Sequence, residues 1–273
     1  MVLWGGGWSA LKILTYSMGV EVLSLWRFVI MFFAFIPILF YIKVPLHLPK
    51  KSLKYISLSS VLNIAFMFFA YLGVERSTAG NGGVIITVLS PLFTFVLSMI
   101  LFKLRYTRQQ YIGLIIGLLG GIVMLNIIDI NLFIQGGEFY FMLAAITWAG
   151  VSVLAQQSHP YIHPVHYSFF IAGFSMLLLF IINIPQDISL VFDQDTEFWI
   201  ALLYLGIFGQ TIATTIYFVA SGKLGSSHAS SYMFLVPLFA LIISYLILGE
   251  SLKIHIIVGG LISLFSVYLI NKK

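Results

Sequence analysis

The sequence predicts an all-α integral membrane protein, with about ten transmembrane helices in two inverted five-helix repeats. Three observations lead there. Of the 273 residues, 60% are hydrophobic and only 8% are charged, whereas soluble domains carry about 25% charged residues. The apolar residues fall in long continuous runs, without the period-2 alternation of a membrane barrel. Positions 146 residues apart also repeat one another, Tyr71 with Tyr217 for example.

With so few charges, a water-soluble fold has too little polar surface to cover itself, and lipid removes that need. Crossing a bilayer core about 30 Å thick takes roughly 20 apolar helical residues. A helix also satisfies its own backbone, as the hydrocarbon region requires. Runs of this kind span 1–16, 21–42, 55–74, 82–102, 109–127, 138–157, 164–184, 197–219, 228–248 and 254–271. The first is short or truncated, with Met1 set directly in apolar sequence. No basic n-region or small-residue cleavage site marks a signal peptide. The longest connectors, Lys43–Lys54, Asp129–Gly137 and Pro185–Thr196, leave no room for a soluble domain. The absence of cysteine excludes disulfides, thiolate metal sites and cysteine nucleophiles.

The charges divide by side. Even-numbered connectors and the C-terminus hold Lys43, Lys50, Lys51, Lys54, Lys103, Arg105, Arg108, Lys223, Lys272 and Lys273, ten of the 14 basic residues. The odd side holds Lys12, Arg27, Arg76 and Lys253 with all nine acids. Basic residues in short loops stay cytoplasmic, so both termini are expected inside, in a bacterial cytoplasmic membrane. A missed span would scramble this division, so the division also supports the span count.

Two halves follow, residues 1–127 (spans 1–5) and 138–271 (spans 6–10). Pro91-Leu92-Phe93 matches Pro237-Leu238-Phe239, Ser98 matches Ser244, Gly113 matches Gly259, and Trp4-Gly5-Gly6 parallels Trp148-Ala149-Gly150. An odd number of spans per half makes the second half enter from the opposite side. Such inverted repeats let one central site open to each face in turn.

At these residues the chain resembles the EamA type of the drug/metabolite transporter superfamily. The matching features are Trp4-Gly5 with Lys12, Arg27-Phe28, Tyr71 with Ser77-Thr78-Ala79, and Pro91-Leu92-Phe93. In the second half they are Trp148, Tyr217, Ser226 to Ser231, Pro237-Leu238-Phe239, Leu248-Gly249-Glu250 and Gly259. The resemblance covers nearly the whole chain. It implies a secondary transporter, an exporter of small metabolites, amino-acid-like compounds or drugs, working by alternating access through a central cavity. Two departures stand out. Leu104 occupies the place after span 4 where a glutamate matching Glu250 is usual, and the start of span 1 is missing relative to the pattern.

Several residues are candidates for the cavity. Pro91 and Pro237 sit mid-span, where each removes a backbone hydrogen bond. Paired breaks in matching halves point to a midplane site, although proline is common in membrane helices. Asn63, Tyr71, Thr87, Gln210, Thr211, Tyr217 and Tyr232 offer donors and acceptors, either to a substrate or between helices. Trp4, Trp8 and Trp148 suit a stacking wall, or else the bilayer interface. Lys12 and Arg27 suit a substrate carboxylate. The alternatives are snorkelling and pairing with Glu21 or Glu75, and for Arg27 a structural pair is the expectation. Glu75, Arg76 and Glu250 are read with Arg27 as structural or gating charges. No acid falls near a midplane, which argues against proton antiport through a buried carboxylate.

Gly113, Gly117, Gly120 and Gly121, with Gly259, Gly260, Ser263 and Ser266, read as close-packing faces. Their neighbour is either the same chain or a homodimer mate. His159, His163 and His166 flank prolines with no acid nearby, so no metal or other cofactor is implied. Lys50, Lys51 and Lys54 suit anionic headgroups and not nucleic acid. The expected partners are the bilayer and a small-molecule substrate. The competing classes are a channel or a non-transporting membrane scaffold, then a membrane enzyme, for which no catalytic constellation is found.

Overall fold

A computed structural model describes residues 1–15, 17–42, 44–125, 136–248 and 254–272. Everything regular among them is helical. In order come α1 (Val2–Thr15), α2 (Val20–Ile42), α3 (Lys50–Arg76), α4 (Ala79–Phe102), α5 (Arg108–Leu125), α6 (Glu138–Ser158) and α7 (Pro164–Ile182). A 3₁₀ turn (Ile188–Asp193) leads to α8 (Thr196–Leu224), which contains a π-helical segment (Tyr204–Ala213). Next are α9 (Ser226–Ser231), a 3₁₀ turn (Tyr232–Leu235), α10 (Val236–Leu248) and α11 (Ile254–Asn271). Glu250, Asp129, Lys253, Lys43 and Lys273 lie outside the described residues.

Six helices, α2, α3, α4, α6, α7 and α8, are long and apolar enough to cross a membrane. Arg108–Met124 and Ile257–Asn271 are shorter apolar helices. With α1 at 14 residues and the ninth expected span broken by its 3₁₀ turn, length alone does not make ten spans. The helices begin where side chains supply caps. The Thr78 hydroxyl accepts from the Asn81 amide (3.1 Å) and Asp195 accepts from the Phe198 amide (2.8 Å).

Small residues set the closest packing. α5 lies along α11. A methyl group on Gly120 would meet Ser263 Oγ at 2.6 Å, and one on Gly259 would meet the Gly120 carbonyl at 2.5 Å. The glycine face of α5 is therefore spent on α11 of the same chain, with Phe234 and Val88 filling the space beside Gly117 and Gly121. Elsewhere α6 packs on α3 and α4, α7 on α2, and α1 on α10 and on the π-helical segment. The faces that α1, α2, α3, α4, α6 and α8 turn inward meet at the site described next.

Candidate functional site

These helices line a half-open cavity of about 100 Å³. Its wall takes Leu3, Trp4, Gly7, Trp8 and Leu11 from α1, Arg27 from α2, and Asn63, Phe66, Met67 and Ala70 from α3. It takes Ile86 and Thr87 from α4, Trp148 from α6, Leu205, Gly209, Gln210 and Thr214 from α8, and Met233. Both halves of the chain contribute. Along α1 and α3 the lining residues cover about 10–12 Å of helix axis, at 1.5 Å per residue.

One end is aromatic. Trp4 meets Trp148 edge-on at 5.3 Å and Tyr217 at 5.2 Å between centroids, and Phe66 meets Trp148 at 5.0 Å. Tyr217 is buried behind this pair, and its hydroxyl shares a 2.7 Å hydrogen bond with Ser152. Trp4 is anchored as well, because its Nε1–H donates to the Gly209 carbonyl at 3.0 Å. That carbonyl lies in the π-helical segment, whose hydrogen bonds skip one residue further than in an α-helix. The Thr211 and Thr214 hydroxyls follow the wider register, donating five residues back to the Gly206 (2.8 Å) and Gly209 (3.2 Å) carbonyls. Gly206 lets α2 approach this segment, since a methyl there would meet Ile30 Cγ2 at 2.5 Å.

The other end is cationic. Arg27 lies seven residues into α2, about 10 Å from its start. Its guanidinium carbon is 6.0 Å from the centroid of the Tyr71 ring. Its Nε–H and the Tyr71 hydroxyl are both buried without a hydrogen-bond partner among the described residues. Arg27 is the only ionisable side chain in the described wall. Gln210, next to the Gly209 that anchors Trp4, is 3% exposed, with neither its amide oxygen nor its amide nitrogen hydrogen-bonded among the described residues. Trp148 Nε1 is likewise buried and unpartnered.

Of the residues expected at the cavity, Trp4, Trp8, Asn63, Thr87, Trp148 and Gln210 are brought together in its wall. Tyr71 and Tyr217 stand just behind it, at opposite ends. Lys12 and Tyr232 are exposed and take no part in the wall. Thr211 is buried and spends its hydroxyl on the backbone. Glu75 and Arg76 are exposed, with Arg76 over the Tyr140 ring at 4.6 Å. Arg27, expected to form a structural pair, instead faces the cavity: Glu75 is on the exposed surface, and no acid lines the described wall.

Pro91 and Pro237 are buried outside the wall, yet the residues four before them, Thr87 and Met233, are in it. A proline withholds the amide that the carbonyl four residues earlier would accept from. The Met233 carbonyl takes the Val236 N–H instead, which makes the 3₁₀ turn. α4 runs through Pro91 as an α-helix, and the Thr87 hydroxyl donates to the Gly83 carbonyl at 2.5 Å.

Away from the cavity, polar side chains stitch the bundle. Glu138 accepts from Ser77 (2.5 Å) and Asn81 (3.1 Å). Near α9, Tyr106 bonds Ser227 (2.5 Å), Ser98 bonds Ser226 (3.1 Å), and Gln156 accepts from the Ser226 amide and hydroxyl (2.8 and 2.7 Å). His163 and His166 stand with ring centroids 5.4 Å apart, and no three metal-ligating side chains converge among the described residues.

Sequence reasoning missed Phe66, Met67, Gly209 and Met233. Its available signal was the pair Gly206 and Gly209 beside Gln210-Thr211, a local excess of small and polar residues in an apolar run.

The chain matches the family model described as EamA-like transporter family over residues 1–126 and 135–272. It is 32% identical over 216 residues to a chloroplastic WAT1-related protein of Arabidopsis thaliana, covering 76% of this chain and 51% of that protein. The chain thus spans about half the length of that plant relative. An uncharacterized transporter of Synechocystis is 32% identical over 229 residues, covering 76% of this chain and 68% of its own. The uncharacterized transporter YoaV of Bacillus subtilis is 27% identical over 269 residues, covering 96% of this chain and 90% of its own. A crystal structure superimposes with a TM-score of 0.78 at 16% identity, over 99% of this chain and 93% of that one, a likeness of fold alone.

Proposed function

We propose, from the premise that the chain belongs to the EamA-like transporter family, that it is a secondary carrier exporting small metabolites, amino-acid-like compounds or drugs. The names of its family and relatives are those of transporters, not enzymes. In this reading ten spans form two inverted five-helix repeats, residues 1–127 and 138–271, in a bacterial cytoplasmic membrane with both termini cytoplasmic. The packing supports an exchange of the halves: α1 packs on α10 as α6 packs on α4, while α2 meets α7 and α5 meets α11.

The observation that carries the reading is the cavity. It is walled by both halves, deep in an apolar bundle, and it holds buried polar groups with no partner among the described residues. An unsatisfied buried polar group costs about 1–3 kcal/mol. Grouping them around one space makes sense where a solute or its water shell passes. Alternating access then moves one half against the other around that space.

The test is efflux from proteoliposomes loaded with a mixture of amino acids, organic acids and nucleosides. At least one compound should leave faster than from protein-free vesicles, at a rate that saturates with concentration. Thr87→Trp, which fills the cavity from α4, should abolish that flux in correctly folded protein. Flux that never saturates would replace the carrier with a channel. No protein-dependent flux of any compound would leave a scaffold.

A further inference from the structure

The cavity wall is lopsided in charge. It holds one permanent cation, Arg27, and no carboxylate among its described residues. None of the acids near that end lines the described wall. Glu138 is held by Ser77 and Asn81, Glu75 is on the exposed surface, and Glu21 is in the first turn of α2. Nor is the charge mirrored in the second half. Positions 144 to 146 residues beyond Arg27 hold Ile171, Ala172 and Gly173. Tyr71, the aromatic partner of the guanidinium among the described residues, has a buried hydroxyl with no hydrogen-bond partner among them.

An unpaired charge at this depth is costly, and the cost falls when a counter-charge arrives. A guanidinium presents a planar fork that fits a carboxylate in two parallel hydrogen bonds. Its Nε–H, one tine of that fork, is unpartnered. The rest of the described wall is apolar and aromatic, with Trp8, Phe66, Trp148 and Trp4, and it carries the Gln210 amide, which has no partner among the described residues. An ammonium group would find no carboxylate here and would be repelled by Arg27.

We infer that the molecule carried is an organic anion: a carboxylate seated on Arg27, joined to an apolar body of about one ring that lies against Trp8, Phe66 and Trp148. This rests on the carrier reading above and narrows its substrate class. Arg27 is then the residue that selects by charge. The tryptophans select by shape and accept many bodies, because stacking on an indole face is tolerant of detail.

The experiment is binding to the purified full chain in a neutral detergent at pH 7, followed by intrinsic tryptophan fluorescence. Three probes share one body and differ in the head group: 3-phenylpropionate, 3-phenylpropionamide and 3-phenylpropylamine. The carboxylate should bind saturably and about tenfold or more tighter than the amide, and the amine should be weakest. In Arg27→Gln the carboxylate should fall to the level of the amide, with the amide unchanged. Arg27→Lys, which keeps the charge and loses the fork, should show a reduced preference. It carries the test by itself should the glutamine variant fail to give a cooperative melt.

Equal binding of amine and carboxylate overturns the inference, as does no saturable carboxylate binding or a preference that survives in Arg27→Gln. Saturable efflux confined to neutral or cationic compounds would also overturn it while leaving the carrier in place. Carboxylate binding that depends on Arg27, without flux of any compound, would instead remove the carrier reading.

Discussion

Tyr71 and Tyr217 occupy matching places in the two halves of the chain, yet their surroundings are opposite. Tyr217 is satisfied. Its hydroxyl bonds Ser152, and its ring packs against Trp4, Trp148 and Phe218. Tyr71 is unsatisfied. Its buried hydroxyl has no partner among the described residues, and its ring lies beside the Arg27 guanidinium. One half has spent this tyrosine on framework, and the other holds it next to the one charge in the described cavity wall. In the proposed repeat, a duplicated fold thus needs no duplicated chemistry: the matching positions would keep the bundle, and the departures from them would make the site.

The largest expected effect is at the aromatic end. Trp148 is 4% exposed and touches Trp4, Phe66, Tyr217 and Phe218. Trp148→Ala should cost about 3 kcal/mol of stability, the scale of large aromatic truncations in packed cores. The check is a lowered melting temperature in detergent. A melt unchanged by this variant would mean that the aromatic end is not framework.

The prolines give a middle-sized effect, on flux more than on folding. Pro237→Ala returns a donor to the Met233 carbonyl and favours α-helix through the Tyr232–Leu235 turn. Transport should drop several-fold while membrane insertion stays at the wild-type level. Pro91→Ala should lower transport in the same way but by less, because α4 is already α-helical there. Normal efflux in both variants would detach the prolines from the site.

The smallest effect is the sharpest for the comparison. Tyr217→Phe should cost about 1 kcal/mol, the net worth of one buried hydrogen bond. Tyr71→Phe removes a buried hydroxyl with no partner among the described residues, so stability should not fall and should rise by about 1 kcal/mol. Thermal melts of the two variants side by side decide this, and equal losses would erase the contrast.

Much of this was legible in advance. The long apolar runs became helices, and the span expected at 55–74 is seen as Lys50–Arg76. The tryptophans, Asn63, Thr87 and Gln210 were picked as polar or aromatic interruptions of apolar sequence, and they meet in one wall. Lys12 is the charge the sequence offers to the cavity and Arg27 the one it offers to a structural pair, yet Arg27 lines the wall and Lys12 is exposed. The π-helical segment left no mark beyond its glycines and threonines. A change of hydrogen-bond register depends on what packs alongside, here Trp4 at the Gly209 carbonyl.

Composition and run length by themselves settled the medium and the helical class, because lipid rewards an apolar exterior and demands internal backbone hydrogen bonds. Which face of each helix turns inward was left to the tertiary structure. In a soluble helix polarity marks the outward face, but here lipid and core are alike apolar, so that marking is lost. Only the packed bundle brings Arg27, Trp148 and Gln210 to one space from three separate helices, and only there does their lack of partners among the described residues become visible.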